Sequence, residues 1–239
     1  MELAGIVKSS WIDYPGNAST VIFLSGCNYR CGYCHNPEIV NARGGSISPK
    51  EFFSFLEKRR RFLDAVVISG GEPTIHKELY DLIVAIKKHG YRIKLDTNGS
   101  NPELLRDLLN EGLLDYVAMD VKGPFRMYRE IAGAAADAAL VRQSIQLLQE
   151  AHLGRLADSV MHCEFRTTIC REILNEPQLR EMLADVGPID QKGAYAGKIP
   201  WYLQNYRDSG KRLDSESTYT AYEADELQQF GTAFNLKIR

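Results

Sequence analysis

Short apolar runs alternate with amphipathic stretches from residue 20 onward. The runs are rich in β-branched residues and lack polar interruptions, which is typical of strands that are buried on both faces. The stretches between them repeat apolar residues at helical spacing, as in Leu79, Leu82, Ile83 and Ile86. This alternation predicts repeated strand–helix units that build a mostly parallel sheet.

Six strands and five helices follow from this pattern. The strands are predicted over residues 20–25, 65–69, 91–96, 115–120, 161–169 and 199–206. The helices are predicted over about 48–62, through Leu79 to a stop at Gly90, from Asn101 to Gly112, around Val141–Leu148, and over 179–186. Ser48 and Glu51 form a capping box at the start of the first helix, and Pro49 suits its first turn.

Six strand–helix units in 239 residues constrain the fold class. A complete eight-unit barrel takes ~250 residues, so the chain fits an incomplete (β/α)6 TIM-like barrel with parallel strands, and an open doubly wound sheet is the alternative. No low-complexity linker, repeat or shift in composition marks a second domain. We therefore expect one domain over 1–239, with a core at about 18–206, a short N-terminal extension and a C-terminal tail.

The composition is that of an ordinary globular protein, with 44% hydrophobic and 25% charged residues. A formal net charge of -2 provides no overall attraction to nucleic acid or anionic membranes. The N-terminus lacks a signal-peptide pattern, and no segment approaches the ~20 apolar residues of a membrane span. These features predict a cytoplasmic protein without a nucleic-acid or membrane partner.

Three of the five cysteines lie within the stretch "SGCNYRCGYCHNP", at Cys27, Cys31 and Cys34. Such tight clustering favours metal-binding or catalytic thiols over a disulfide framework. Structural zinc usually takes four ligands in close pairs, whereas His35 directly follows Cys34 and is poorly placed to complete a tetrahedron. Three soft thiolates suit a 4Fe-4S cluster with one open iron. A zinc-binding module without catalysis is the alternative.

Polar and ionisable residues stand directly after four successive strands. The first strand leads into the cysteine loop, and the next three lead into Gly70–Pro73, Asp96–Gly99 and Asp120–Gly123. In parallel α/β folds the loops at the carboxyl ends of the strands converge on one ligand-binding mouth. We therefore expect these groups to meet in a single site.

These motifs resemble those of a known family. The stretch from Cys27 to Cys34 matches the C-x3-C-x-aromatic-C signature of radical S-adenosylmethionine (SAM) enzymes, and "GGEP" follows on the next strand end. Within that superfamily, "GCNYRCGYCHNPE", "ISGGEPT", "LDTNG" and "MDVKGP" are similar to the activating proteins of glycyl radical enzymes, above all those of anaerobic ribonucleoside-triphosphate reductase. The resemblance covers about residues 5–170.

The resemblance implies a cofactor-binding role for each motif. It assigns the cluster ligands to Cys27, Cys31 and Cys34. It assigns cofactor binding to Tyr33, Gly70, Gly71, Glu72, Asp96, Thr97 and Asp120. The open iron would take the amino and carboxylate groups of S-adenosylmethionine. Tyr33 would lie near the adenine, and Gly71 with Glu72 would receive the ammonium group.

The same resemblance implies a monovalent cation beside the cofactor, held by Asp96, Thr97 and Asp120. Two converging carboxylates repel each other unless a cation or a shared proton lies between them, which agrees with such a site. Lys122 matches a lysine near the substrate glycine, and its expected role is catalytic; a surface lysine in a turn is the alternative. By strand alternation, Arg166 shares a face with Glu164 and Thr168, and whether that face meets the cofactor stays open.

The implied activity is one-electron cleavage of S-adenosylmethionine to a 5′-deoxyadenosyl radical, which takes a hydrogen atom from a backbone glycine of the partner enzyme. The implied electron donor is a flavodoxin or ferredoxin. The alternative is a radical enzyme that acts on a small molecule, such as a 7-carboxy-7-deazaguanine synthase. Cys163 and Cys170 are predicted to be buried small hydrophobes, and the region 187–239 has no assigned role.

Overall fold

The computed structural model describes residues 2–42, 44–154 and 161–239. In these ranges, eight strands form one sheet. The strands are β1 (Gly5–Ser10), β2 (Ser19–Leu24), β3 (Ala65–Gly70), β4 (Arg92–Thr97), β5 (Tyr116–Asp120), β6 (His162–Ile169), β7 (Trp201–Asn205) and β8 (Lys237–Ile238). The six predicted strands are therefore confirmed as β2 to β7.

Helices follow most of the parallel strands. They are α1 (Pro37–Asn41), α2 (Pro49–Arg59), α3 (Leu79–Lys88), α4 (Pro102–Asn110), α5 (Tyr128–Ala132), α6 (Ala138–His152), α7 (Glu176–Val186) and α8 (Ala224–Phe234). The predicted capping box is present, since Ser48 Oγ accepts from the Glu51 N–H at 3.3 Å and Glu51 Oε2 accepts from the Ser48 N–H at 2.9 Å. Gly90, the predicted stop after α3, has a positive φ of 79°.

The strands are adjacent in the same order in which they occur along the chain. β1 is antiparallel to β2, and each pair from β2 to β8 is parallel. A doubly wound sheet reverses its strand order at a switch point, and this sheet does not. The fold is therefore an α/β partial barrel with parallel strands, as the sequence predicts.

The two ends of the chain contain more regular structure than the sequence pattern predicts. The N-terminal extension contains β1, whose outer positions Val7 to Ser9 are exposed. The C-terminal tail contains α8 and the two-residue strand β8, which extends the sheet beside β7. A half-exposed edge strand and a two-residue strand lack the continuous apolar run that marks the buried strands.

Alternation along the strands separates an outer core from a barrel interior. On β4, Ile93 and Leu95 belong to the large core beneath the helices, whereas Lys94 and Asp96 lie on the opposite face. A smaller apolar cluster fills the interior near the amino ends of the strands: Tyr14, Val21, Ala65, Val67, Tyr116 and Ala118. The carboxyl ends are left for polar groups. Within the described ranges, no helix is both long enough and apolar enough to cross a membrane.

Candidate active site at the carboxyl ends of the strands

A cavity of about 680 Å³ opens at the carboxyl ends of the parallel strands. It brings together every residue that the sequence proposes for the site: Cys27, Cys31, Tyr33, Cys34, Gly70, Gly71, Glu72, Asp96, Thr97, Asp120 and Lys122. The expectation that the strand-end loops meet at one mouth is confirmed in this geometric sense.

The cysteine loop leaves β2 and turns along the cavity wall. The Cys34 N–H donates to the Cys31 carbonyl at 3.0 Å, and the Tyr29 N–H donates to Cys27 Sγ at 3.4 Å. Burial raises the pKa of the Cys27 thiol to about 11 and also raises the pKa of Cys31. Both thiols are therefore protonated at neutral pH, and metal ligation would have to displace their protons.

The donor set of the loop fits an iron–sulfur cluster. All three loop cysteines border the same cavity, and His35 also lines it. Cys163 and Cys170 are buried, as predicted, and neither lines this cavity. Across residues 2–42, 44–154 and 161–239, no three His, Cys, Asp or Glu side chains group as ligands of a single metal ion. Three soft thiolates that border one cavity have the donor chemistry of a multi-iron cluster.

The two glycines after β3 allow its loop to lie against the cysteine loop. The Gly71 N–H donates to the Leu24 carbonyl and the Glu72 N–H donates to the Gly26 carbonyl, each at 2.9 Å. A Cβ on Gly71 would overlap the Gly26 carbonyl oxygen, and Gly70 has a positive φ of 124°. Close backbone contact therefore requires glycine at both positions.

Glu72 joins the loops that follow β3 and β4. Its buried carboxylate accepts from Thr74 N–H at 3.0 Å, Thr74 Oγ1 at 2.6 Å, Thr97 Oγ1 at 2.7 Å and Asn98 N–H at 2.6 Å. Burial raises the pKa of Glu72, although all four donors oppose that shift. Three of these bonds reach Oε1 and one reaches Oε2, so Oε2 keeps capacity for one more donor, such as an ammonium group.

A ladder of alternating charges crosses the barrel interior from β4 to the loop after β5. Arg166 lies between two carboxylates, with Nε 2.9 Å from Asp120 Oδ1 and Nη1 3.4 Å from Asp96 Oδ2. Lys94 Nζ is 2.9 Å from Asp96 Oδ1, and Lys122 Nζ is 3.0 Å from Asp120 Oδ2. The face that Arg166 shares with Glu164 and Thr168 therefore points into the barrel, and Arg166 lines the cavity.

The ion pairs of this ladder keep Asp120 and Lys122 charged at neutral pH. Burial alone would raise the pKa of Asp120, but Arg166 and Lys122 outweigh it and lower that pKa to about 2. Burial would lower the pKa of Lys122, but Asp120 and the neighbouring Tyr33 and Cys31 raise it well above its usual value. Only 15% of the Lys122 side chain is exposed. Lys122 is therefore a charged group of the cavity wall and not a surface lysine.

The side chains proposed to hold a monovalent cation also have contacts within the protein. Arg166 already lies between Asp96 and Asp120, where the repulsion of two carboxylates had suggested a cation. Thr97 lies on the other face of β4 from Asp96, and its hydroxyl donates to Glu72 at 2.7 Å. The protein's own guanidinium thus compensates the two carboxylates in this structure.

A second charged cluster lies deeper in the barrel. Glu164 is buried and accepts two hydrogen bonds from the Arg239 guanidinium, at 2.9 and 3.0 Å, and one from Tyr116 Oη at 2.8 Å. The Arg239 guanidinium also stacks on the Tyr202 ring at 4.0 Å and lines the cavity. The sequence does not point to Arg239, because the two-residue strand β8 has no pattern that predicts it. The available signal was Glu164, an acidic residue on an interior face that needs a cationic partner.

Comparisons with known proteins give a family match. The family model "Radical SAM superfamily" matches residues 21–163. A protein of Methanocaldococcus jannaschii, MJ1227, provisionally named a glycyl-radical enzyme activating enzyme, is 36% identical over 189 residues, which are 79% of this chain and 76% of that protein. The pyruvate formate-lyase-activating enzyme of Clostridium pasteurianum is 33% identical over 46% of this chain and 48% of its own length.

A solved structure shares the fold at low sequence identity. The crystal structure of Streptococcus suis SuiB bound to S-adenosylmethionine aligns with a TM-score of 0.64 and 14% identity. The alignment covers 92% of this chain and 51% of SuiB, so this chain spans about half the length of that protein. The cysteine motif, the partial barrel and the family match together show that the chain belongs to the radical SAM superfamily.

Proposed function

We propose that this chain is a radical SAM activating enzyme that generates a glycyl radical on a partner enzyme, namely an anaerobic ribonucleoside-triphosphate reductase. The main support for the proposal is that Cys27, Cys31 and Cys34 line the same cavity as a set of paired charged residues. These residues are Asp96, Asp120, Lys122 and Arg166. The similarity to MJ1227 over most of both chains supports the activating class. The motifs quoted above, such as "CHNPE" and "MDVKGP", support the reductase as partner.

Cys27, Cys31 and Cys34 would hold a 4Fe-4S cluster whose open iron binds S-adenosylmethionine. When both are bound, the cluster and S-adenosylmethionine would supply the chemistry: one-electron cleavage of S-adenosylmethionine to a 5′-deoxyadenosyl radical. The electron would come from a flavodoxin or ferredoxin. The protein's contribution is to orient the cofactor and to limit access of water. The glycine pair Gly70–Gly71 contributes by packing the β3 loop against the cysteine loop.

The cations of the interior could receive a bound carboxylate. Four cationic side chains, Lys94, Lys122, Arg166 and Arg239, lie in contact with three carboxylates, Asp96, Asp120 and Glu164. Of these cations, Lys122, Arg166 and Arg239 border the cavity. Charged N–H donors of this kind form strong hydrogen bonds with carboxylates, and S-adenosylmethionine carries a carboxylate.

The wall formed by β6 and β7 suits a peptide substrate. Thr168 and Gln204 are register partners on these strands and bring neutral polar side chains to the cavity. In the described ranges, the edge strands β1 and β8 each pair with one strand only, so the sheet stays open between β1 and β8. An open side close to β7 gives a loop of a partner enzyme a route to Lys122 and the cysteines.

The test is electron paramagnetic resonance spectroscopy of the anaerobically reconstituted protein mixed with S-adenosylmethionine, a reductant and the candidate reductase. A glycyl radical signal that depends on both S-adenosylmethionine and this protein is the expected result. Full cleavage of S-adenosylmethionine without a radical on any glycyl radical enzyme would reject the activating role while it leaves the superfamily assignment in place.

A second candidate function is radical chemistry on a small molecule. The 7-carboxy-7-deazaguanine synthase of Aquifex aeolicus is 34% identical to this chain over 36% of its length and 38% of that enzyme. Liquid chromatography of the small-molecule products distinguishes the two functions. A deazaguanine product would favour this candidate, and its absence together with a glycyl radical would exclude it.

A further inference from the structure

Residues 206–222, here called the C-terminal strap, connect β7 to α8 and cross the cysteine loop. The Leu213 N–H donates to the Cys34 carbonyl, and the Asp214 N–H donates to the Gly32 carbonyl, each at 3.0 Å. Both acceptors belong to the segment that contains two of the three clustered cysteines. The strap therefore pairs directly with the backbone of the loop that is proposed to hold the cluster.

The strap is anchored at both ends. At its start, the Tyr206 N–H donates to the Ile169 carbonyl at 2.9 Å. At its end, the Asn205 side chain exchanges two hydrogen bonds with the Tyr222 backbone, at 2.7 and 3.0 Å, and Tyr222 Oη donates to the Leu174 carbonyl at 2.7 Å. These bonds fix the strap to the strand ends of β6 and β7, so it forms a defined surface for the loop to pack against.

A turn inside the strap directs Tyr219 toward the cysteine loop. The Asp214 carboxylate accepts from the Glu216 N–H at 3.0 Å and the Ser217 N–H at 3.2 Å, which closes the turn. The Tyr219 ring then meets the Tyr33 ring edge to face, with centroids 6.2 Å apart and planes at 77°. Tyr219 thus contacts the residue between Gly32 and Cys34.

The C-terminal strap lies very close to the cysteine loop at Gly32. A Cβ built on Gly32 would overlap the Tyr219 hydroxyl, and it would lie 3.2 Å from both Asp214 Cβ and Tyr219 Cζ. Gly32 does not adopt a positive φ, so alanine is compatible with its backbone conformation. The need for glycine here comes from the strap, and specifically from Tyr219.

We propose that the C-terminal strap positions the cysteine loop, and that Tyr219 is the positioning residue for the segment Gly32–Cys34. The proposal rests on the proposed function only in that the loop holds a cluster. Residues outside the ligand set that orient metal ligands commonly change metal retention when they are replaced. Disturbing the contact between Gly32 and Tyr219 should therefore weaken cluster retention although every cysteine is still present.

The experiment compares four variants with the wild-type protein after anaerobic reconstitution: Gly32→Ala, Tyr219→Phe, the double variant, and the control Gly5→Ala. A Cβ on Gly5 meets only Phe23 at 3.6 Å, which is ordinary contact. The measurements are the rate of iron loss to a chelator and the electron paramagnetic resonance spectrum of the reduced cluster. Circular dichroism confirms that each variant is folded.

Gly32→Ala should lose iron about tenfold faster than wild type and change the spectrum. The double variant should recover most of the wild-type behaviour, because it removes the clashing hydroxyl and leaves contacts of 3.2 Å that small shifts relieve. Gly5→Ala should match wild type. Wild-type iron loss in Gly32→Ala, or a defect that Tyr219→Phe does not relieve, would overturn the proposal.

Hydrogen exchange of the cluster-free protein tests the same contact independently of any cluster. Tyr219→Ala should accelerate exchange of the Cys34 amide, which donates to the Cys31 carbonyl inside the loop. Unchanged exchange would overturn the proposal. A wild-type protein that binds no cluster would instead reject the proposed function, and this exchange measurement would still decide the role of the strap.

Discussion

Arg166 donates from Nε to Oδ1 of Asp120 at 2.9 Å inside the barrel. The same guanidinium lies 3.4 Å from Asp96, so one cation stands between carboxylates that belong to two neighbouring strands. This bridge joins the floor of the cavity across β4, β5 and β6. Arg166 therefore compensates carboxylates on two strands at once.

Replacing Arg166 by leucine should destabilise the protein by about 3 kcal/mol, because the two mostly buried carboxylates would face each other without their shared cation. Urea unfolding of the cluster-free protein measures the effect. Arg171→Leu is the matched control, since Arg171 pairs with Glu226 at a more exposed site and such pairs contribute little to stability. Equal losses in the two variants would contradict the bridging role of Arg166.

The stability of the protein should depend on the ionisation of Asp120 in acid. Its pKa is lowered from 3.8 to about 2 in the folded protein, so its charged form stabilises the fold at pH values above about 4. That contribution is lost as the pH falls from about 4 toward 2. The difference in unfolding free energy between wild type and Asp120→Asn should therefore shrink over this range. A difference that stays constant down to pH 2.5 would show that the pKa of Asp120 is not lowered.

Glu72→Gln should weaken the junction between the β3 and β4 loops. In glutamine an NH2 group takes the place of one carboxylate oxygen. Depending on the orientation of the amide, this NH2 group would face either the Asn98 N–H or the hydroxyls of Thr74 and Thr97, which donate to Glu72 in the wild type. A buried unsatisfied donor costs about 2 kcal/mol, and the affinity for S-adenosylmethionine should fall with it. Glu51→Gln, in an exposed capping box, is the control and should destabilise the protein less than Glu72→Gln, because glutamine also serves in a capping box. Similar losses in calorimetry would contradict this account of Glu72.

Cys31→Ala should abolish both the iron–sulfur cluster and the cleavage of S-adenosylmethionine, because the proposed cluster loses one of its three ligands. Iron and sulfide analysis after reconstitution measures the first effect, and chromatography of 5′-deoxyadenosine measures the second. Cys163→Ala is the control, since Cys163 is buried outside the cavity and should leave the iron content unchanged. Full iron content in Cys31→Ala would mean that the ligands are misassigned.

The central sheet and its functional loops could be predicted because their signals are local. Buried parallel strands are continuous apolar runs, and the groups after β2, β3, β4 and β5 meet as a consequence of parallel topology. Alternation on β6 placed Glu164, Arg166 and Thr168 on one face, which the structure confirms as the face toward the barrel interior.

The remaining features depend on contacts between distant parts of the chain. Arg239 reaches Glu164 across 75 positions, through a two-residue strand that has no periodicity of its own. The strap that carries Tyr219 is irregular, so nothing in its sequence indicates that it packs on Gly32. The pairing of Arg166 with two carboxylates could not be predicted, because the sequence gives no distances between strands.

The most direct test of the proposed function follows the hydrogen atom. A partner reductase labelled with glycine deuterated at the α-carbon is mixed anaerobically with the reconstituted protein, S-adenosylmethionine and reduced flavodoxin, and the 5′-deoxyadenosine product is analysed by mass spectrometry. The account predicts one deuterium in 5′-deoxyadenosine and a glycyl radical signal on the partner. Unlabelled 5′-deoxyadenosine without a radical on the partner would contradict it.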